Sequence, residues 1–211
     1  MAQTPAESQE KRTVGGGNGR HGRAAYDLEA VLDITVAAFN ERGYDATSMD
    51  HVASRLGTSK SAVYYHASGK ADLLRLGLER ALDGLEGVLK LPGAQRGAAD
   101  ERLKFVLREA VLVLIDRLPY VTLLLRVRGN TDVERDAMAR RREFDRQVSL
   151  LIDEARSDGS LRTDIDARTL TRLLFGMINS IVEWYRPEGP LSREQVADDV
   201  IAVAFDGLHA S

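Results

Sequence analysis

Apolar residues recur along this chain at three- and four-residue intervals, the repeat of a helix with one buried face, and no stretch alternates apolar and polar as a half-buried strand does. Leu28, Val31, Leu32, Thr35, Val36 and Phe39 give the first stripe, over 26–42, and Gly43 follows as its stop. A short second helix opens near Thr47, whose hydroxyl can cap it; Asp50 favours the positive end of the helix dipole, and Val52, Ala53 and Leu56 turn inward. Gly57 suits the end of that helix. Thr58 or Ser59 can then cap a third, 60–66, with Ala62 and Val63 inward. Gly69 and Lys70 open a longer helix, 70–90, carrying Leu74, Leu78, Ala81, Leu82, Leu85 and Val88 on its inner face.

The turn-rich segment 91–98 separates this part from the remainder. Beyond it the pattern predicts helices at 100–118, ended or kinked by Pro119, at 120–128, at 132–157 and at 166–186, then a last one capped by Ser192. The reading is all-α, about nine helices. A three-helix unit comes first, with a helix-turn-helix inside it, and a larger helical body follows. Its divisions are 1–25, 26–70 and 71–211, the long fourth helix acting as a lever between reader and body.

The third helix leaves Ser59, Lys60, Ser61, Tyr64, Tyr65 and His66 on its outer side. Small hydroxyls, phenols and a lysine on a short helix are the groups that enter a DNA major groove and hold the flanking phosphates. The stretch GYDATSMDHVASRLGTSKSAVYYHASGKADLL, with LEAVLDITVAAFNERGY before it, resembles the DNA-binding signature of TetR/AcrR-type transcriptional regulators. Two positions depart from that pattern: Ser61 stands where glycine is usual, and Ala67 where an aromatic residue usually follows the histidine. The second departure weakens the local packing that positions the third helix. The resemblance implies that Thr47, Ser48, Lys60, Tyr64, His66 and Lys70 mainly hold phosphates, while Ser59, Ser61 and Tyr65 face bases. It also implies a homodimer built on the last two helices. Leu173, Leu174, Met177, Ile178 and Ile181, with Val200, Val203 and Ala204, are the interface residues expected.

Charge changes the picture only mildly. The chain of 211 residues carries 29 basic and 32 acidic side chains, a net charge of −3, so DNA binding must rest on a local basic face and on two copies. Residues 1–25, with Lys11, Arg12, Arg20 and Arg23, are polar and glycine-rich and read as a disordered basic arm, whether a solvated tail or one that follows DNA. Gly17, Gly19 and Gly22 spell G-x-G-x-x-G, yet no strand precedes them and no nucleotide site is expected. There is no cysteine, which removes disulfides, thiol catalysis and thiolate metal sites. No apolar run approaches a membrane span and no signal-peptide core is present, so the expectation is cytoplasmic. No two histidines form a metal-binding pair, and neither an enzyme activity nor a cofactor is expected.

A small-molecule effector is the second function expected. Phe105, Val111, Tyr120, Leu124 and Phe144 are placed to line a pocket between the lever and the dimer helices. The segment WYRPEG from Trp184 is similar to a turn in TetR-type regulators that respond to acyl-CoA thioesters, which adds Trp184 and makes acyl-CoA the effector class implied. Packing at the dimer interface is the other role open to Trp184. The run Arg140-Arg141-Arg142 reads as a solvated face, with an anionic ligand as the alternative. Two further functions fit the same pattern: an activator or architectural DNA binder with a filled core, or a helical protein-interaction module.

Overall fold

The computed structural model describes residues 26–206; the basic arm, its glycine motif and Leu208 of the last stripe lie outside the described residues. Ten helices and no strand occur within them. Three form the reader: α1 (Leu28–Arg42), α2 (Met49–Arg55) and α3 (Lys60–Tyr64). The lever is α4 (Lys70–Val88), and the short α5 (Pro92–Gln95) follows it. The body is α6 (Ala99–Asp116), α7 (Leu118–Arg126), α8 (Asp132–Ser157), α9 (Ala167–Trp184) and α10 (Arg193–Asp206).

The helix beyond the nine expected is α5, one turn inside the segment read as a linker. Pro92 opens it, since proline suits a first helical position where its missing N–H would find no partner anyway. The same logic relocates Pro119. The break before it falls at Arg117, and Pro119 sits in the first turn of α7.

Local signals set most of the other ends. Asp27, Thr131 and Asp166 cap α1, α8 and α9 by accepting backbone N–H bonds from Ala30, Glu134 and Thr169. Gly57 has φ 64°, a left-handed turn that lets α2 stop and α3 leave at an angle. Glu134, buried behind α8's first turn, accepts N–H bonds from Arg128, Gly129 and Asn130 at 2.8 to 3.0 Å and so fastens the α7–α8 loop.

One continuous apolar cluster runs from Val31 in α1 to Phe205 in α10, so reader and body share a core. They approach closely at Gly77 of α4. A Cβ there would stand 3.0 Å from Val36 of α1 and 3.4 Å from Leu123 of α7. Glycine lets three helices meet at one point, which places α7 directly against the reader as well as against the body.

The last two helices correct part of the interface expectation. Leu174, Ile178, Ile181, Val200 and Ala204 are buried within the chain's own core, because α9 and α10 pack on α6, α7 and α8 before any second copy arrives. Leu173 and Val203 stay 61% and 67% exposed and Met177 is half-buried. Trp184 is 49% exposed on the stripe that Leu173, Met177 and Ser180 begin. Among the described residues no helix is long and apolar enough to cross a membrane.

Candidate DNA-reading face and effector cavity

The reader face is built on one anchor. Val63 is fully buried, and it is the side chain through which α3 enters the core of α1, α2 and α4. A five-residue helix has little stability of its own, so that packing and its cap hold it. The cap is Ser59, whose hydroxyl accepts the Ala62 N–H at 3.3 Å. Ser59 Oγ also lies 3.3 Å from Ser61 Oγ, and both serines are exposed. Tyr64 is 46% exposed and Tyr65 87%, its ring edge-on to His66 at 5.2 Å. Beyond that ring contact so exposed an aromatic packs on little of the lone chain, and most of its apolar ring is open to a surface.

The basic groups around α3 are already engaged. Lys60 Nζ lies 2.9 Å from Asp50, and that hydrogen bond raises the lysine's pKa. Arg55 makes a two-pronged contact with Glu41 at 2.5 and 3.0 Å. Lys70, in the first turn of α4, donates to the Tyr44 carbonyl at 2.9 Å and sits 4.2 Å above the Tyr44 ring. These contacts fix the positions of the cations without burying them, and all three remain at least partly accessible.

Thr47 requires correction. The N-cap of α2 is Ser48, which accepts the His51 N–H at 3.1 Å, while Thr47 is buried and donates to the Gly43 carbonyl at 2.8 Å. Its hydroxyl ties α2 to the end of α1 and has no path to a phosphate. Ala67 is buried as well, just beyond α3, which still forms over Lys60–Tyr64 with Val63 buried.

The candidate effector site is a cavity enclosed by α4, α6, α7, α8 and α9, with a free volume of about 30 Å³. Leu124 and Phe144 line it as expected, joined by Leu85, Val121, Leu125 and Phe175. The other four residues named for the pocket lie elsewhere. Phe105 packs over Gly93 of α5, where a Cβ would meet its ring at 2.6 Å. Val111 is core, Trp184 faces outward and donates to Ser180 at 3.4 Å, and Tyr120 donates to Asp33 of α1 at 2.6 Å. Burial raises the Tyr120 phenol's pKa, and the bond to Asp33 raises it further, so it stays protonated and keeps donating.

Three polar residues also reach this cavity: Arg141, Asp145 and Asn179. None of their side chains makes a hydrogen bond or ion pair with another described residue. Desolvation raises the Asp145 carboxyl's pKa, with Arg141 opposing it.

Geometry explains why the arginine run hid this. Successive helix residues turn by about 100°, so three arginines in a row cannot share a face. Arg140 crosses to α4 and binds Asp83 and Glu86 at 2.7 to 2.8 Å. Arg141 faces the cavity, and Arg142 points toward α9.

A link runs from the cavity to the reader through α7. Val121, Leu124 and Leu125 face the cavity, at the i, i+3, i+4 spacing of one helix side. The other side meets α1: the Pro119 carbonyl accepts from Asn40 at 2.8 Å, and Arg126 donates to the Asn40 carbonyl at 2.5 Å.

The chain is similar to known proteins over most of its length. The family model for bacterial regulatory proteins of the tetR family matches residues 31–76, and that for the tetracyclin repressor-like C-terminal domain matches residues 96–208. The crystal structure of SCO3833, a TetR-family member from Streptomyces coelicolor A3, is 52% identical, with a TM-score of 0.80 over 85% of this chain and 91% of that one. The transcriptional repressor KstR2 of Mycolicibacterium smegmatis is 25% identical over 87% of this chain and 91% of its own. AibR, solved with isovaleryl coenzyme A and operator DNA, shares the fold at 24% identity and a TM-score of 0.72, over 84% of this chain and 97% of that one.

Proposed function

Because the chain belongs to the TetR family of bacterial regulatory proteins, we propose that it binds a palindromic operator as a homodimer, represses transcription there, and is released when an acyl-CoA thioester enters its body. The observation that carries this reading is the double placement of α7. One side of a nine-residue helix walls the cavity and the other is hydrogen-bonded to the reader, so a change in the first is felt by the second.

In this reading residues 26–70 read DNA and residues 71–211 sense and dimerise. Ser59, Ser61 and Tyr65 face bases; Ser48, Lys60, Tyr64, His66 and Lys70 hold phosphates. Two readers are needed because half-sites recur about 34–36 Å apart, one helical turn of DNA. Exposed Leu173, Trp184 and Val203, with half-buried Met177, are the apolar groups that a second copy would cover.

The cavity as it stands has room for a water molecule but not an acyl chain. An acyl chain therefore binds only a conformer in which α7 and α8 have parted. A ligand that binds this conformer alone draws the population toward it. Displacement of α7 then moves α1 through Asn40, and with the lever α4 it carries the two α3 helices off their half-site spacing. The effector class rests on the apolar cavity and on the likeness of the WYRPEG turn to that of acyl-CoA-responsive regulators.

Selection from random DNA duplexes, followed by titration with acyl-CoAs of graded chain length, tests this reading. The expected result is one palindromic motif, bound more weakly as salt rises and released by an acyl-CoA. Recovery of no motif at low salt would overturn the DNA reading. A motif that no acyl-CoA releases would overturn the effector class alone.

A further inference from the structure

Next to the effector cavity, α8 and α9 form an open groove of about 300 Å³ whose rim is basic. Arg142 and Arg146 stand one turn apart on α8, and Arg168 and Arg172 one turn apart on α9. Like charges at this spacing repel, and a helix pair that brings two such pairs together loses stability by it. Several arginines elsewhere are matched with carboxylates: Arg140 with Asp83 and Glu86, Arg102 with Glu154, Arg193 with Asp116. In the groove only Arg146 is matched, by Glu143 at 2.6 and 2.8 Å. The side chains of Arg142, Arg168 and Arg172 make no hydrogen bond or ion pair with another described residue.

The floor of the groove is also suited to an anion. Ser149 and Thr171 are buried at its base, their hydroxyl oxygens 3.2 Å apart. Guanidinium groups present forked donors that match phosphate oxygens, and several aimed at one space outdo the single acid there, Asp145. Asp145 lines both spaces, so the groove opens where the apolar cavity ends. Groove and cavity together have the two-part form of one amphipathic ligand.

We infer that the α8–α9 groove is a phosphate-binding subsite that holds the multiply charged end of an amphipathic effector whose apolar end occupies the cavity, with Asp145 at the threshold between them. The inference rests on the effector reading for the apolar end alone; the anion site stands on the arginines themselves. Its selectivity follows: a ligand with a neutral head gains nothing from the groove, and a bare anion gains nothing from the cavity.

The test is calorimetric, with three probes against the full-length chain: coenzyme A without an acyl group, the same acyl chain on pantetheine without phosphates, and inorganic tripolyphosphate. Each is repeated on Arg168→Ala/Arg172→Ala and on the charge-retaining Arg168→Lys/Arg172→Lys, with thermal melting to check that both fold. The expected result is that coenzyme A binds the native chain in a salt-sensitive way, weakens at least tenfold in the alanine variant and recovers in part with lysine, while the acyl-pantetheine is unaffected. Equal binding of tripolyphosphate and coenzyme A, both lost in the alanine variant, would support the subsite and mark bare phosphate rather than its nucleotide carrier as the group read. Coenzyme A and tripolyphosphate that fail to bind, or bind native and alanine chains alike, would overturn it. In that case release of operator by the acyl-pantetheine would leave the effector reading standing. Loss of coenzyme A binding in a variant whose native parent is released by no acyl compound would support the groove and remove the effector reading.

Discussion

In the reader, the polar groups proposed for function project outward from a five-residue helix held by one buried side chain, Val63. In the body, Arg141, Asp145 and Asn179 are half-buried polar groups on the wall of an apolar cavity. The reader's outward groups are held in place and need only a surface to meet, while Asn40 Oδ1 and His51 Nε2 are buried within its own helices without a hydrogen-bond partner among the described residues. The body holds a small apolar cavity, and its lowest-energy form should change when a ligand enters it. A regulator needs that asymmetry: a rigid face to recognise a fixed sequence, and a soft interior whose shape depends on occupancy.

The comparison breaks most sharply at Leu124. This side chain is fully buried on the cavity side of α7, and Leu124→Ala should lower stability by about 2–5 kcal/mol, measured by denaturant unfolding. Loss of that order confined to the body, with operator contacts unchanged in the folded fraction, is the expected outcome.

Tyr65→Ala should do the reverse. Unfolding free energy should stay within about 0.5 kcal/mol of the native chain, since an 87% exposed ring packs on little. Operator affinity should fall by about 1–3 kcal/mol if Tyr65 meets a base edge, with discrimination relaxed at one position of the site. A filter-binding series on single-base operator variants would read both.

Arg126→Ala addresses the connection. Its guanidinium ties α7 to the Asn40 carbonyl of α1, outside both the cavity lining and the α3 face. Operator affinity and effector affinity measured separately should hold, while the effect of one on the other should shrink by about 0.5–2 kcal/mol.

The smallest effect belongs to the first turn of α4. Asp72 accepts the Ser68 backbone N–H at 2.9 Å and pairs with Arg75 at 2.5 Å, and the Ser68 bond is the main reason its carboxyl lies below the ordinary range. A carboxyl lowered in the folded state stabilises above its unfolded pKa and loses that contribution as pH falls through the folded value. Asp72→Asn should therefore cost about 0.5–1 kcal/mol at neutral pH, with the two melting curves converging in acid.

Much of the fold was legible because most helix ends are locally determined. The helix read over 132–157 is observed as Asp132–Ser157, capped by Thr131, and the residues assigned to its buried face, Phe144, Val148, Leu151, Ile152 and Ala155, are all buried. The cap of α2 was misplaced by one residue, since Thr47 and Ser48 both carry hydroxyls and only the packing of α2 on α1 decides which one is buried. The exposure of Ser59, Lys60, Ser61, Tyr64 and Tyr65 followed from a short helix read with Ala62 and Val63 inward, of which Val63 is buried and Ala62 half-buried. The cavity did not, because its wall comes from five helices and periodicity says which face is inward, not what that face meets. Leu174, Ile178 and Ile181 illustrate the same limit: an apolar stripe on a terminal helix fits a core and an interface equally, and here the core takes it.

The central claim is that occupancy of the body governs the reader. It is tested most directly by the operator dissociation constant measured with and without a saturating acyl-CoA, its binding established independently by calorimetry. The account predicts weakening of at least about tenfold, which is about 1.4 kcal/mol of coupling between the two sites. An unchanged constant with the ligand fully bound would contradict it, because a ligand of equal affinity for both conformers shifts neither.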